Sequence, residues 1–329
     1  MTYKPPYQIT TKMTNYISDI MKSIGFLSTK TSINDSLILR KKSKISSIYS
    51  SLAIENNLLS LTQVKDIING KMVIGQQRDI IEVKNALKVY DQVLNINPYK
   101  VDDLLKCHKI MMESLIDFPG MFRQQNEGVF DGDKVIFMAP PPNLVPKLMN
   151  ELFDYLVNYE ENMLIKSCVF HYEFEFIHPF VDGNGRIGRF FQTALLSNWE
   201  PLFAYLPIES IIKEKQQEYY DAIALCNKLG NSNVFIEFML ETILMTIRKF
   251  SINHEKDNLI NNSYVEKLMS IMEDKVAYST RQLMDLLNLK SRVSFRSTYL
   301  LPALDLKLIR MTYPNVPNSK NQKYIKIVT

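Results

Sequence analysis

The sequence predicts a mainly helical protein, with one β-hairpin inserted between two helices and a small C-terminal module of three helices closed by a second hairpin. Three observations predict it. Only 10 of the 329 residues are glycine. Apolar residues recur at three- and four-residue intervals along most of the chain, the period of a helix with one buried face. The two stretches that break this rhythm, 119–142 and 310–328, carry β-rich runs bounded by glycine, proline and asparagine.

The periodicity gives helices over about 11–26, 34–58, 62–69, 77–95 and 100–116. The run GMFRQQNEGVFDGDKVIFMAPPP then holds three glycines and the β-rich Val135, Ile136, Phe137 and Met138, an extended hairpin or flap. Helices resume over about 144–159, 163–177, 184–198, 211–228 and 233–255. The polar stretch SINHEKDNLINNS, 251–263, is the best domain boundary. Three regions follow: 1–100, helical; 101–255, a core; and 260–329, with helices near 264–274, 279–287 and 292–304. The last helix leads into two short strands, and helix, helix, helix, hairpin is the order of a winged helix.

Composition excludes several classes. With 46% hydrophobic and 22% charged residues, the chain is neither disordered nor collagen-like. No stretch approaches the roughly 20 apolar residues that span a bilayer, and MTYKPPYQITTK lacks the apolar core of a signal peptide. Three cysteines (Cys107, Cys168, Cys226) are too few for a disulfide scaffold, so free thiols in a reducing cytoplasm are expected. The net charge of +4 is uneven. Residues 290–329 carry Lys290, Arg292, Arg296, Lys307, Arg310, Lys320, Lys323 and Lys326 against Asp305 alone, so this tail is +7 and the rest −3. Those cations could meet DNA phosphates or form the solvated face of a module that contacts protein.

The run HPFVDGNGRIGR, His178–Arg189, concentrates the chemistry. Pro179 disfavours helical geometry at His178, so the preceding helix ends there. Gly183 and Gly185 let backbone N–H groups turn inward into a nest for anionic oxygen. A new helix begins at once, and its N-terminus favours phosphate. Arg186 and Arg189, three apart, are expected on one face with their forks toward the nest. Asp182 supplies the hard oxygen that Mg²⁺ prefers, and His178 is the group able to accept a proton near neutral pH. A plain loop with surface arginines would not need His, Asp and two Arg within twelve residues.

These residues resemble the motif HxFx(D/E)GNGRxxR of the Fic-domain proteins, matched by His178, Phe180, Asp182, Gly183, Asn184, Gly185, Arg186 and Arg189 without a gap. The resemblance implies an all-helical fold that transfers AMP from ATP to a hydroxyl side chain of a target protein. His178 would be the general base, and Asp182 would bind Mg²⁺ at the α- and β-phosphates. The stretch Gly183, Asn184, Gly185, Arg186, Ile187, Gly188 and Arg189 would form the phosphate site, with Arg189 on the γ-phosphate. Val135–Met138 would lie over nucleotide and target, which the flap holds by strand addition. In QEYYDAIALCN, Tyr219 and Asn227 look like the adenosine contacts, although a core tyrosine and a helix-terminal asparagine explain them equally well.

SLAIEN, Ser51–Asn56, fits the family's inhibitory pattern [S/T]xxxE[G/N]. The resemblance implies that Glu55 pairs with Arg189 in the γ-phosphate position and restrains the enzyme. A C-terminal winged helix occurs in some relatives, and a homodimer is compatible with the family. Two other readings stand beside AMP transfer: removal of AMP at the same site with Glu55 orienting water, and a DNA-binding regulator whose site only senses nucleotide. His171 and Trp199 are read as core residues, Cys168 and His171 are not read as a catalytic thiol–imidazole pair because no oxyanion device is evident, and Cys107 and His108, adjacent on a helix, are expected to point different ways.

Overall fold

A computed structural model describes residues 3–28, 37–131, 134–260, 263–306, 308–314, 316, 317, 319 and 321–327. The chain forms two compact units, Met1–Arg248 and Lys249–Thr329. Residues 1–100 are therefore not a separate body: they share one unit with the core that follows. The division falls slightly before the polar stretch that marked the expected boundary.

The first unit is built on two helices joined by the His178–Arg189 run. Helix α1 is Thr11–Ser28, α2 Leu37–Ile54, α3 Leu61–Ile68, α4 Gln77–Tyr90 and α5 Val101–Met111. Strands β1 (Gly128–Asp131) and β2 (Lys134–Met138) form the antiparallel flap, with Gly128 opposite Met138 and a register shift between Val129 and Phe130. Then come α6 (Val145–Asn158), α7 (Met163–Ile177), α8 (Asn184–Trp199), α9 (Ile208–Glu214), α10 (Gln216–Leu229) and α11 (Asn233–Ile260), the last running past the end of this unit at Arg248. Helix α7 is buried on nearly every side, as a central helix is: Leu164, Cys168, Val169, Phe170 and Phe174 are all 0% exposed. It packs along α8, whose Phe190, Phe191, Ala194 and Leu195 are equally buried. Helices α5 and α6 lie against this pair, and α2 lies against α4 and α9.

Several helices depart from the periodicity; the expected 77–95 helix, for one, ends at Tyr90. The expected 34–58 helix stops at Ile54. There the Asn57 N–H reaches Leu52 O at 3.1 Å and the Asn56 N–H reaches Ala53 O at 3.2 Å, with Asn56 left-handed at φ 64°. That is the Schellman end of a helix, and its left-handed position favours Gly or Asn, which are the residues the SLAIEN pattern allows. The expected 211–228 helix is two, broken at Lys215 (φ −114°, ψ 35°) and started early by Pro207. The 100–116 helix ends at Met111.

The second unit, by itself, has the order α12 (Ser263–Ile271), β3 (Ala277–Ser279), α13 (Thr280–Leu286), α14 (Arg292–Phe295), α15 (Leu301–Asp305), β4 (Ile309–Met311) and β5 (Lys323–Lys326). The sheet order is β3-β5-β4, all antiparallel. Ser279 and Gln282 close a capping box at the start of α13. The single helix expected over 292–304 is interrupted by a π turn, Arg296–Leu300, just before Pro302, whose missing N–H cannot continue the regular ladder. Leu268, Met272, Leu283, Phe295, Ala303, Ile309 and Tyr324 make its core.

Candidate active site

Helix α7 delivers His178. Its N–H still bonds Phe174 O at 2.9 Å, but its backbone turns left-handed (φ 49°, ψ 62°) and the chain leaves the helix at Pro179. The side chain is half-buried. Burial pushes the imidazole below its ordinary value, opposed by a hydrogen bond to the Glu175 backbone and by the Glu55 and Asp182 charges. The ring is therefore neutral at pH 7 and able to take a proton.

The loop after it is held from three sides. Phe180 is 0% exposed and stacks on His108 with centroids 3.6 Å apart and planes 5° apart. The Asn184 side chain closes on Phe180: Oδ1 accepts its N–H at 2.9 Å and Nδ2 donates to its carbonyl at 2.8 Å. His108 Nδ1 accepts the Gly120 N–H at 2.8 Å, so its Nε2 carries the proton and donates to Asp182 O at 2.9 Å. Burial pushes the His108 imidazole down to about 4, which keeps this tautomer neutral. Gly183 sits at φ 87°, and a Cβ there would meet Met112 Sδ at 2.7 Å. With α8 starting at Asn184, the first N–H groups of that helix have no intrahelical acceptor and face an anion site.

The two arginines reach the loop, but their forks go to separate carboxylates. Arg186 donates to Glu82 Oε1 at 2.9 Å and to Asp182 Oδ1 at 2.6 Å. Glu82 is also bonded by Asn57 Nδ2 at 2.8 Å, and Asp182 Oδ2 accepts from Arg78 Nη2 at 2.9 Å. Arg189, 2% exposed, donates from Nε to Ser51 Oγ at 3.2 Å and from Nη2 to Ser51 O at 3.1 Å and Glu55 Oε1 at 2.7 Å. Burial works against that cation, but the Glu55 carboxylate outweighs it and holds the guanidinium firmly charged. The Glu55 carboxylate lies over Gly185, where any Cβ would overlap it. A carboxylate thus occupies the anion site at the head of α8. Helix α2 is tied to α9 by Ser47, which donates to one oxygen of the buried Glu209 at 2.8 Å, while Tyr90 of α4 donates to the other at 2.8 Å.

Several expected contacts lie elsewhere. Ile187 is 0% exposed in the core. Gly188 is a packing glycine whose Cβ would meet Glu175 Oε1 at 2.7 Å and Phe174 Cδ1 at 3.2 Å. Tyr219 is 1% exposed with its hydroxyl 3.0 Å from His171 Nε2, so it is the core tyrosine. Its neighbour Tyr220 is 41% exposed and reaches toward Ile54 O beside Glu55. Asn227 Oδ1 accepts from Tyr172 Oη at 2.9 Å. The side chains of Val135, Ile136 and Phe137 lie outside the described residues, whereas Met138 is 51% exposed. In the second unit, Lys290, Arg292, Arg296, Arg310 and Lys323 are exposed and Lys326 pairs with Asp274 at 3.3 Å, while Lys307 and Lys320 lie outside the described residues.

Sequence reasoning missed Arg78, Glu82, Arg123 and Glu175, and gave His108 no part in the site. Two left a signal: Glu82 and His108 stand on the apolar stripes of α4 and α5, beside Val83 and Ala86 in one and Leu104 and Met111 in the other. Charged or titratable groups at core positions need a partner. Glu175 has a buried Oε1 with no hydrogen-bond partner, and burial pushes its carboxyl up to about 8 despite Arg189. Its folded state binds the proton more tightly than the unfolded chain, so its contribution to stability is complete below about 4.5 and is lost as pH rises toward 8. Relative to Glu175→Gln, the wild type should therefore lose thermal stability steadily between pH 5 and 8. An unchanged difference in Tm across that range would contradict the buried carboxyl.

Comparison with known proteins agrees with this geometry. Residues 98–196 match the family described as Fic/DOC, and residues 263–325 match the Fic-like C-terminal domain of filamentation induced by cAMP proteins. A solved Fic family protein from Desulfovibrio desulfuricans G20 is 40% identical, with a TM-score of 0.75 and 99% of each chain covered. Fic-1 of C. elegans (residues 134–508) is 21% identical with a TM-score of 0.60, covering 75% of this chain and 72% of that one, which bears on the fold. A curated relative from Nematostella vectensis, named protein adenylyltransferase Fic, is 25% identical over 69% of this chain and 55% of its own. The chain spans about half the length of the curated relatives it matches.

Proposed function

Because this chain belongs to the Fic family, we propose that it is a nucleotidyltransferase that moves AMP from ATP to a hydroxyl side chain of a protein, restrained by its own Glu55. The observation that carries this reading is the Glu55 carboxylate seated on Arg189 at the head of α8, beside a neutral His178. A site that holds one anionic group there in the resting chain is built to hold another in the working one.

In the reaction, the acceptor oxygen forms a bond to the α-phosphorus, the bond from that phosphorus to the β-bridging oxygen breaks, and pyrophosphate leaves. The hydroxyl proton passes to the His178 imidazole. The N–H groups at the head of α8 hold phosphate oxygens in line, so the protein supplies position, charge and one base. Among the described residues no cluster of three His, Cys, Asp or Glu could hold a metal. Mg²⁺ carried by a nucleotide needs as little as one carboxylate, and Asp182 fits that use. A carboxylate has about four acceptor sites, and the Gly183 N–H, Arg186 and Arg78 take three of them. When bound, the ion would neutralise charge on the bridging phosphates.

The second unit we read as a winged helix, from its helix–strand–helix–helix–strand–strand order. Its exposed Lys290, Arg292 and Arg296 suit a polyanion or an acidic protein face. The test of the catalytic reading is the intact mass of the chain and of added proteins after incubation with ATP and Mg²⁺. An adduct of AMP is expected; an adduct of phosphate alone, or ATP hydrolysed to ADP without any adduct, would overturn it.

A further inference from the structure

We propose that Arg123 is a positioning residue that registers the flap to the general base; this rests on the transferase reading above. Arg123 is 2% exposed, and its hydrogen bonds all run to backbone carbonyls of three segments. Nε donates to His178 O at 2.7 Å and Nη2 to Ile177 O at 3.3 Å, both at the end of α7. Nη1 donates to Gln125 O at 2.8 Å, three residues before the flap begins, and Nη2 to Pro140 O at 2.5 Å, two residues after it ends. Its own N–H bonds Pro179 O at 2.9 Å.

A buried cation needs compensation, and here the compensation is the carbonyl end of α7, the negative pole of that helix. The planar fork fixes the angles between its donors, so the segments it joins are set relative to one another. His178 is held in a left-handed backbone conformation that a non-glycine residue adopts at a cost, and the Arg123 bond to its carbonyl stabilises that turn. The neck of the flap is closed by the Ala139 N–H on Glu127 O at 3.0 Å. The same guanidinium therefore ties both legs of the flap to the backbone of the base. A target segment laid along the flap would reach His178 at a distance that Arg123 sets. A lysine, with one compact ammonium, cannot span the three segments.

The experiment uses the full chain with Glu55→Gly as parent, compared with Arg123→Lys and with Arg123→Gln, which keeps an N–H donor should the lysine variant not fold. Three quantities are read: ATP affinity, the transfer rate at saturating ATP, and amide exchange at Ala139 and the flap strands alongside the NMR titration of His178. ATP affinity is expected to stay within about twofold, since the contacts at the head of α8 are untouched. The rate should fall about 100-fold, the size expected when a reacting group is misplaced by about 1 Å. Flap exchange should speed up, and the His178 midpoint should move. Parent-like transfer and exchange in a folded variant would overturn the proposal, as would an ATP affinity that falls as far as the rate. If the parent itself transfers nothing, the transferase reading fails, while flap exchange and the His178 midpoint still decide whether Arg123 links the two.

Discussion

His178→Ala should abolish AMP transfer while ATP still binds. In the proposed reaction the imidazole takes the proton, because Asp182 is engaged by Arg78, Arg186 and the Gly183 N–H and burial keeps Glu175 protonated near neutral pH. Losing a positioned general base costs typically 10²- to 10⁴-fold, and in the Glu55→Gly background the loss should lie in that range or fall below detection. Binding should persist because none of the N–H groups at the head of α8, nor Arg189, depends on the imidazole. The wild-type rate should also rise with pH to a plateau, with its midpoint below that of an ordinary imidazole, since burial lowers the His178 midpoint. Transfer that survives in the variant would mean that another group takes the proton. ATP binding lost along with it would mean that His178 shapes the phosphate site instead.

Much of this site was legible because it is local. His178 to Arg189 form the turn after α7 and the start of α8, so spacing along the chain is close to arrangement in space. The same reasoning failed where a single position decides which way a side chain points. Successive helical residues are about 100° apart, which is why Tyr219 lies in the core while Tyr220 is exposed. Ile187 falls on the packed side of α8 for the same reason. Arg186 and Arg189 start from one face, but each is captured by a partner more than 100 residues away, Glu82 in one case and Glu55 in the other. Arg123 was illegible: its partners are backbone carbonyls, which every residue carries, so no residue type announces them. The Glu55–Arg189 contact bridges 134 residues and was readable only through a family pattern.

Glu55→Gly should raise transfer roughly ten- to a hundredfold. A hydrogen bond to a charged group contributes about 1.5–3 kcal/mol, and each 1.4 kcal/mol is a factor of ten. Removing the carboxylate leaves the Arg189 fork with Ser51 alone and clears the space over Gly185, so a phosphate can take both the guanidinium and the head of α8. The helix should survive the change. Its Schellman end depends on the Asn56 and Asn57 N–H groups and on the left-handed Asn56 backbone, not on the Glu55 side chain. The Ser47 bond to Glu209 continues to hold α2 against α9. Tm should nevertheless fall by about 3–12 °C, because the buried Arg189 loses its carboxylate and the about 1.5–3 kcal/mol of that bond is worth about 2–4 °C per kcal/mol in a domain of this size. Arg189→Ala added to Glu55→Gly separates the causes. If the carboxylate acts by occupying this arginine, the double variant must lose most of the gain, because the γ-phosphate then meets neither Glu55 nor its own partner. A gain that persists without Arg189 would show that Glu55 restrains the enzyme by blocking the space over Gly185, and that the ion pair only holds it there.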